Sequence, residues 1–496
     1  MNRRQFLALT AAATAAPWHT IGASAGSEPS AIPSPGPASP EGELAGSPRG
    51  PWRRLFLDAA VVEEQSGLAR LFHETEKHPG PVVKADKPWE AESAISGPYT
   101  YGTILRDGAK FRLWYQFLNE GNQVGYAESY DGVSWEKPEL GLINFKGSTK
   151  NNIVVSAADV DATGGVCHNP SVIKLPGAEA GRRYSLWGFD SGSGHARVAF
   201  SPDGLRWKYA PETKKTALFT SSDVVNFFYD VYHSRFAATW KTRNRRGRAV
   251  GVAWAEEPLK WTKPVDGPVF VADDLDAEAT QVYGMPVFPY QGMYIGLPWL
   301  YRARYFKFGK YSIPKMHEAQ EDSPRSVDVE FAWSWDLINW TRPCPRSLFI
   351  RRGEKGAWDH GMIYTARAPV IRGDKLLFLY GGCASFHDDR NVRAAIGLAS
   401  LRLDGFCSMR AGADEGWLIT RREPFNEPAV RINAAARPDG FVLAEILNRR
   451  NKVVPGFSRR ECVPFAGDAV NHRLEWKTGP GAKKLDGADY KIRFIL

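Results

Sequence analysis

Gly125-Tyr-Ala-Glu-Ser-Tyr-Asp-Gly-Val-Ser-Trp135 is the stretch from which the rest of the chain can be read. A glycine-bounded run enters a tight turn at Asp131-Gly132 and stops on an aromatic. The arrangement returns in Val198-Ala-Phe-Ser-Pro-Asp-Gly-Leu-Arg-Trp207, Val252-Ala-Trp-Ala-Glu-Glu-Pro-Leu-Lys-Trp261, Phe331-Ala-Trp-Ser-Trp-Asp-Leu-Ile-Asn-Trp340 and, degenerate, Leu398-Ala-Ser-Leu-Arg-Leu-Asp-Gly-Phe406. A motif recurring every roughly 50–80 residues marks a radial or linear repeat. An apolar run precedes each copy: Phe111-Arg-Leu-Trp-Tyr115, Tyr184-Ser-Leu-Trp-Gly188, Phe236-Ala-Ala-Thr-Trp240, Met293-Tyr-Ile-Gly-Leu297 and Leu376-Leu-Phe-Leu-Tyr380. Short β-branched and aromatic runs between turn residues are strands. Asp131-Gly132 and Asp203-Gly204 suit turns that need positive φ.

Helical periodicity is nearly absent, so the fold is all-β. Three to four strands repeated five times predict a five-bladed β-propeller, whose innermost strands line a central funnel. A strand around Leu55–Leu57 is expected to complete the last blade. Tyr301–Val327 reads as an insertion in the fourth blade, of the kind that can rim a site. After about Ala411 the pattern changes. Ala429-Val-Arg-Ile-Asn433, Phe441-Val-Leu-Ala-Glu-Ile-Leu447, Asn471-His-Arg-Leu-Glu-Trp476 and Tyr490-Lys-Ile-Arg-Phe494 alternate between turns, which predicts a C-terminal β-sandwich.

The expected organisation is therefore a signal peptide over 1–25, a disordered linker over 26–51, the propeller over 52–410 and the sandwich over 411–496. The signal reading rests on Asn2-Arg-Arg-Gln-Phe-Leu7, a weakly apolar Ala/Thr-rich stretch and the small-residue site Ala23-Ser-Ala25. These features resemble a twin-arginine export signal. The apolar run is too short for a membrane span. The protein is expected to be periplasmic or secreted, with no membrane insertion after signal removal. The Pro/Ser/Gly-rich linker cannot bury a core.

Composition is that of a globular chain: 496 residues, 43% hydrophobic and 24% charged. The 17 Trp, 18 Tyr and 26 Phe supply strand packing, and Trp and Tyr faces can also stack on sugars. A formal charge of +9 can favour an anionic ligand such as an acidic sugar. No nucleic-acid module is visible, and Arg243-Asn-Arg-Arg-Gly-Arg248 reads as a charged turn between two strands. The cysteines, Cys167, Cys344, Cys383, Cys407 and Cys462, lack paired spacing and are expected to be mostly free and buried.

Ser129-Tyr-Asp-Gly-Val-Ser-Trp-Glu-Lys-Pro-Glu-Leu-Gly-Leu142, Asn151-Asn-Ile-Val154, Val282-Tyr-Gly-Met-Pro-Val-Phe288 and Gly356-Ala-Trp-Asp-His-Gly-Met362 resemble bacterial exported proteins related to glycoside hydrolase family 32. The order of propeller and sandwich is similar too. The resemblance, to five-bladed glycosidases of the family 32/43 type, runs from about Arg53 to Leu496. It implies an enzyme acting on a plant, algal or microbial glycan. Family 32 enzymes carry Asn-Asp-Pro, Arg-Asp-Pro and Glu-Cys in their first three blades, and none of these stands here in register. His168-Asn169-Pro170-Ser171-Val172 keeps the Pro-Ser-Val but has Asn where those enzymes have Asp.

Polar residues that begin innermost strands converge on a propeller axis. Blade one begins near Tyr99-Thr-Tyr101, preceded by Trp89-Glu90; blade two at His168-Asn169; blade three at Asp223-Val-Val-Asn226; blade four at Tyr283-Gly284; blade five at Asp359-His360-Gly361. Glycoside hydrolysis needs two carboxyl groups, about 5–5.5 Å apart for retention or about 6.5–9.5 Å for inversion. Asp223 and Asp359 are the first choices, with Glu90 or Glu278 as substitutes and His360 as a further candidate. Trp89, Tyr101, His168, Asn169, Asn226, Tyr283 and His387 are the candidate sugar-binding residues. No cofactor is expected; a divalent metal held by His with Asp223 or Asp359 stays open, without ligand spacing to support it. Two other readings are a polysaccharide lyase using His and Tyr on a uronate-containing glycan, and a glycan-binding propeller without catalysis.

Overall fold

The computed structural model describes residues 40–496, apart from 92–94, 176, 278, 303–306, 309–310, 313–324, 388, 390, 425–428, 478–484 and 486–488. These residues are all-β with a few short helical turns, such as Pro40–Ala45 and Glu212–Lys215. The first antiparallel sheet orders Tyr99–Asp107, Lys110–Leu118, Asn122–Ser129 and Ile153–Ser156. The second orders His168–Lys174, Tyr184–Asp190, His195–Ser201 and Lys208–Tyr209, and the third Val225–Asp230, Arg235–Asn244 and Gly247–Ala255. A fourth joins Val287–Tyr290, Met293–Gly296, Ala332–Ser334 and Trp340–Thr341. The fifth and widest runs through Thr280–Gly284, Trp299–Arg302, Val327–Glu330, Met362–Thr365, Lys375–Cys383, Val392–Arg402 and Glu76–Lys77. No sheet closes on itself among the described residues.

The repeated motif is a side-chain-scaffolded turn. The Ser129 hydroxyl accepts from the backbone N–H of Gly132 at 2.8 Å, and Asp131 Oδ1 accepts from Val133 and Ser134. Ser201 and Asp203 reproduce this with Gly204, Leu205 and Arg206, and Ser334 and Asp336 with Leu337, Ile338 and Asn339. These are Asx- and Ser-type turns. Gly132 and Gly204 take the positive φ that the turn requires, 78° and 79°, and Leu337 is held there at 68°. Three of the closing Trp residues are anchored by the indole N–H, since Trp135 donates to Gly132, Trp261 to Pro258 and Trp340 to Leu337, whereas Trp207 Nε1 is buried without a partner among the described residues.

Hydrogen bonds also tie each repeat to the next. Thr103 donates to the Pro170 carbonyl at 3.1 Å, Phe227 N–H to Ser171 Oγ at 3.0 Å, and Thr239 to the Met285 carbonyl at 2.5 Å. Trp299 donates to Thr365 Oγ1 at 3.1 Å, and Arg367 N–H to the Gly102 carbonyl at 2.9 Å. Each bond satisfies a polar group between apolar faces, where an orphan would cost free energy.

The N-terminal segment departs from expectation. Leu55 and Leu57 are buried core residues outside any strand. The partner of Val392–Arg402 is instead Glu76–Lys77, with Ala399 opposite Lys77. Residues 40–51, expected within a disordered linker, pack on the protein: Leu44 and Ala45 are buried, and Leu44 O accepts from Gln291. The twin-arginine stretch lies outside the described residues.

Past Ala411, Trp417–Thr420, Asp489–Ile495, Leu443–Leu447 and Glu423–Pro424 form one sheet, and Arg431–Ala435 pairs with Asp468–Arg473. Val62–Ser66, from far earlier in the chain, adds a strand to that sheet through Trp417–Thr420. The cysteines are free thiols, buried except for Cys344.

Candidate functional site

Five of the residues singled out from sequence meet at one place: Tyr101, His168, Asp223, Tyr283 and His387. Tyr101 opens the first sheet and His168 the second, and their rings stand edge-on with centroids 5.3 Å apart. Tyr101 also stacks on Trp299 at 5.3 Å and is hydrogen-bonded to Tyr283. Tyr283 ends the strand Thr280–Gly284 rather than beginning one, and its hydroxyl lies 3.1 Å from His387 Nε2. Tyr364 and Tyr301 complete the aromatic wall, with centroids 5.8 and 6.2 Å from that of Tyr283.

Asp223 is the carboxylate of this cluster. It stands two residues before the strand Val225–Asp230 and is half exposed. Lys241 Nζ lies 2.6 Å from its Oδ1, and Ser222 donates to the same oxygen at 2.7 Å. Burial alone would raise its pKa, but the charge and hydrogen bond of Lys241 outweigh that and hold the group down at about 2. It is an anion at any ordinary pH.

His168 titrates the other way. Burial pushes it down to about 4, so it is neutral near pH 7. Its tautomer follows from its neighbours. Gln116 Oε1 accepts the Asn169 N–H at 2.8 Å, which turns Gln116 Nε2 toward His168 Nδ1 at 2.7 Å. Nδ1 therefore accepts, and the proton sits on Nε2. Burial also raises Tyr283, to about 12, and carries Tyr101 well above the ordinary phenol value. Both remain hydrogen-bond donors.

Asn169 and Asn226 stand beside this group. Asn169 is held at φ 61°, and its Nδ2 lies 3.4 Å from Asn226 Oδ1. Asn226 Nδ2 is buried without a partner among the described residues, a donor left over by the fold.

The remaining candidates sit elsewhere. Asp359 is bound by Lys77 Nζ at 2.6 Å and by the Tyr380 hydroxyl at 2.9 Å. It therefore shares its charge with a strand-locking lysine rather than with Asp223. Glu90 is fully buried between the Tyr115 hydroxyl at 2.5 Å and Lys137 Nζ at 2.7 Å; burial is the main cause of its raised pKa. Trp89 donates to Asn152 Oδ1 at 2.9 Å beside it. These are structural anchors on the short helix Pro88–Ala91. His360 Nδ1 lies 3.0 Å from the Ala357 carbonyl, and its ring packs edge-on against Phe386. Glu278 lies outside the described residues.

Sequence reading missed Lys241, Arg248, Trp299, Tyr301 and Tyr364. Lys241 follows immediately on the apolar run Phe236–Trp240, and Arg248 closes the basic stretch that was read as a turn. That stretch is indeed a turn, between Arg235–Asn244 and Gly247–Ala255. Yet its last arginine lies over the Tyr301 ring, 4.9 Å from the centroid. An apolar cleft lined by Leu44, Ile104, Phe288 and Ile371 shares no residue with this cluster.

No protein-family model matches the chain, and no curated protein matches it. Solved structures similar to it include a glycosyl hydrolase from Bacteroides ovatus, at 12% identity and a TM-score of 0.45, covering 68% of this chain and 97% of that one. A family 117 glycoside hydrolase from the marine bacterium Zobellia galactanivorans aligns at 12% identity and a TM-score of 0.41, covering 67% of this chain and 91% of that one. A structure from the GH130 family of mannoside phosphorylases, which contains glycoside hydrolases that target β-1,2 mannosidic linkages in Candida mannan, aligns at 14% identity and a TM-score of 0.46, covering 67% and 98%. Identities this low assign no residue of this chain a role.

Proposed function

We propose that this protein is a glycan-active enzyme, a glycoside hydrolase whose site is built around Asp223 at the axis of a five-bladed β-propeller, followed by a β-sandwich. The propeller reading is supported by the hydrogen bonds that link each repeat to the next and return from Arg367 to Gly102. In it Glu76–Lys77 replaces Leu55–Leu57 as the closing strand.

One observation carries the activity. A carboxylate held ionised and half exposed stands among tyrosine and histidine rings that can stack on and bond to a sugar. Glycoside cleavage builds positive charge at the anomeric carbon, and a fixed anion beside it stabilises the transition state. Asp223 supplies that anion, as nucleophile or as base toward water. The leaving oxygen needs a proton. The Tyr283–His387 pair is the donor the described site offers, and Glu278, five positions before Tyr283, remains the second carboxylate of the sequence reading. His168, with its Nε2 proton, and the orphan Asn226 amide bind sugar hydroxyls. The export reading of the twin-arginine segment supports a role for this enzyme outside the cytoplasm.

The test is a screen of the purified chain against plant, algal and microbial polysaccharides, with products read by mass. Products that gain the mass of water are expected. Cleavage without that gain, with a new ultraviolet-absorbing end, would replace hydrolysis by elimination. Binding without cleavage would make the protein a glycan-binding module.

A further inference from the structure

Three cations of the hairpin beside Asp223 stand close enough to repel one another. Lys241, Arg243 and Arg248 all lie on Arg235–Asn244 and Gly247–Ala255, and Asp223 is the acidic partner of Lys241. Arg243 and Arg248 stand directly opposite one another in the register. Like charges at opposed positions destabilise a strand pair.

Arg248 is held in place by neutral groups. Its Nη1 donates to Gln281 Oε1 at 2.9 Å, and its guanidinium lies over two rings, 5.6 Å from the Tyr283 centroid and 4.9 Å from that of Tyr301. Lys241 Nζ lies 4.6 Å from the Tyr283 centroid. One tyrosine ring thus has two cations within reach of it. A planar guanidinium fixed on aromatic faces and bonded to an amide oxygen keeps its charge and its remaining N–H donors, the form in which arginine recognises oxyanions.

We infer that the sugar unit bound against Tyr283 and Tyr301 carries an oxyanion substituent, a uronate carboxylate or a sulfate ester, received by Arg248 with Lys241 and Arg243 close by. This deepens the proposed function, since it names the substrate class of the same site. The attraction is in part long-range, so it weakens with salt.

The experiment is titration calorimetry on the full chain. The probes are oligouronates of galacturonate, glucuronate and mannuronate, their methyl esters as neutral twins, and sulfated galactan oligosaccharides. At least one acidic probe should bind about tenfold or more tightly than its uncharged counterpart, with the preference shrinking as salt rises. The sulfated set distinguishes sulfate from carboxylate. Arg248→Gln should remove the preference, so that acidic and neutral twins bind alike, while Arg248→Lys should restore part of it.

Equal affinity for charged and neutral probes, a preference that survives Arg248→Gln, or no binding of any probe would each overturn the inference. If neutral glycans are hydrolysed and charge brings no gain, the inference fails and the enzyme reading stands. If acidic probes bind through Arg248 and nothing in the polysaccharide screen is cleaved, the enzyme reading fails and the inference stands.

Discussion

Lys241 Nζ lies 2.6 Å from Asp223 Oδ1, with the lysine side chain 12% exposed and the aspartate 47%. The pair is asymmetric: the cation is tucked into the wall while the carboxylate keeps an open side. The proposed role of Asp223 requires an open side of this kind. Asp223→Asn, assayed well below its melting transition, should lower turnover by a factor on the order of a thousand, because the amide keeps the shape and loses the charge. Turnover close to wild type would remove Asp223 from the mechanism.

Removing the lysine tests the same pair through pH. Lys241 is what keeps the Asp223 pKa near 2, while burial acts in the opposite direction. In Lys241→Met the burial effect is opposed only by the Ser222 hydrogen bond and the influence of His168, so Asp223 protonates at higher pH. The acid limb of the kcat/KM profile should move upward in pH, and Lys241→Arg should hold it near the wild-type position. An unmoved limb in Lys241→Met would show that another group sets it.

Asp359 should behave differently from Asp223. Its bonds to Lys77 and Tyr380 tie the short strand Glu76–Lys77 to the fifth sheet. Losing one partner of a buried ion pair is costly, on the order of 3 kcal/mol here. Asp359→Ala should lower the melting temperature by several degrees while kcat, measured well below the transition, stays within a few-fold. A large loss of kcat with unchanged stability would return Asp359 to the catalytic list.

The contrast between these two aspartates marks how far the sequence could be read. Both stand just before a strand in a polar stretch, and nothing local separates them. What separates them is the lysine each meets. Lys241 lies 18 positions from Asp223 and Lys77 lies 282 positions from Asp359. The repeats were legible because Ser, Asp, Gly and Trp at fixed offsets build one turn from local bonds alone. The short partner strand of Val392–Arg402 was not, because Glu76–Lys77 is polar and two residues long, whereas Leu55 and Leu57 are apolar and look like a strand. They are buried as core side chains instead. The same blindness applies to Glu90, whose buried partners lie 25 and 47 positions away.

His168 gives stability a pH dependence of definite sign. It loses its proton near pH 4 in the fold, against 6.5 for an ordinary histidine. Between these values the unfolded chain binds more protons, so stability falls as pH drops through that window. Gln116 reinforces this, since its Nε2 already donates to Nδ1 and a second proton there would face a donor. His168→Gln, which cannot titrate, should lose less melting temperature between pH 6.5 and pH 4 than the wild type does. Parallel curves would mean that His168 titrates alike in both states.

Three glycines in the repeats tie sheet packing to this chemistry. Gly125 pairs with Tyr115, Gly251 with Trp240 and Gly397 with Tyr380, each glycine opposite a large ring on the neighbouring strand. A Cβ on Gly397 would lie 2.4 Å from the Tyr380 Cζ atom. Tyr380 has little room to yield, because its hydroxyl is bonded to Asp359 and its ring stacks on Trp358 at 5.8 Å. The clash must therefore move the ring, the hydroxyl and the bond to Asp359 together. Gly397→Ala should cost about 1–3 kcal/mol by overpacking. The double variant Gly397→Ala with Tyr380→Phe should cost less than the sum of the two single changes, because each removes the same hydroxyl–carboxylate bond. Chemical denaturation of the four proteins measures this directly. Strict additivity would show that the ring can move without releasing Asp359.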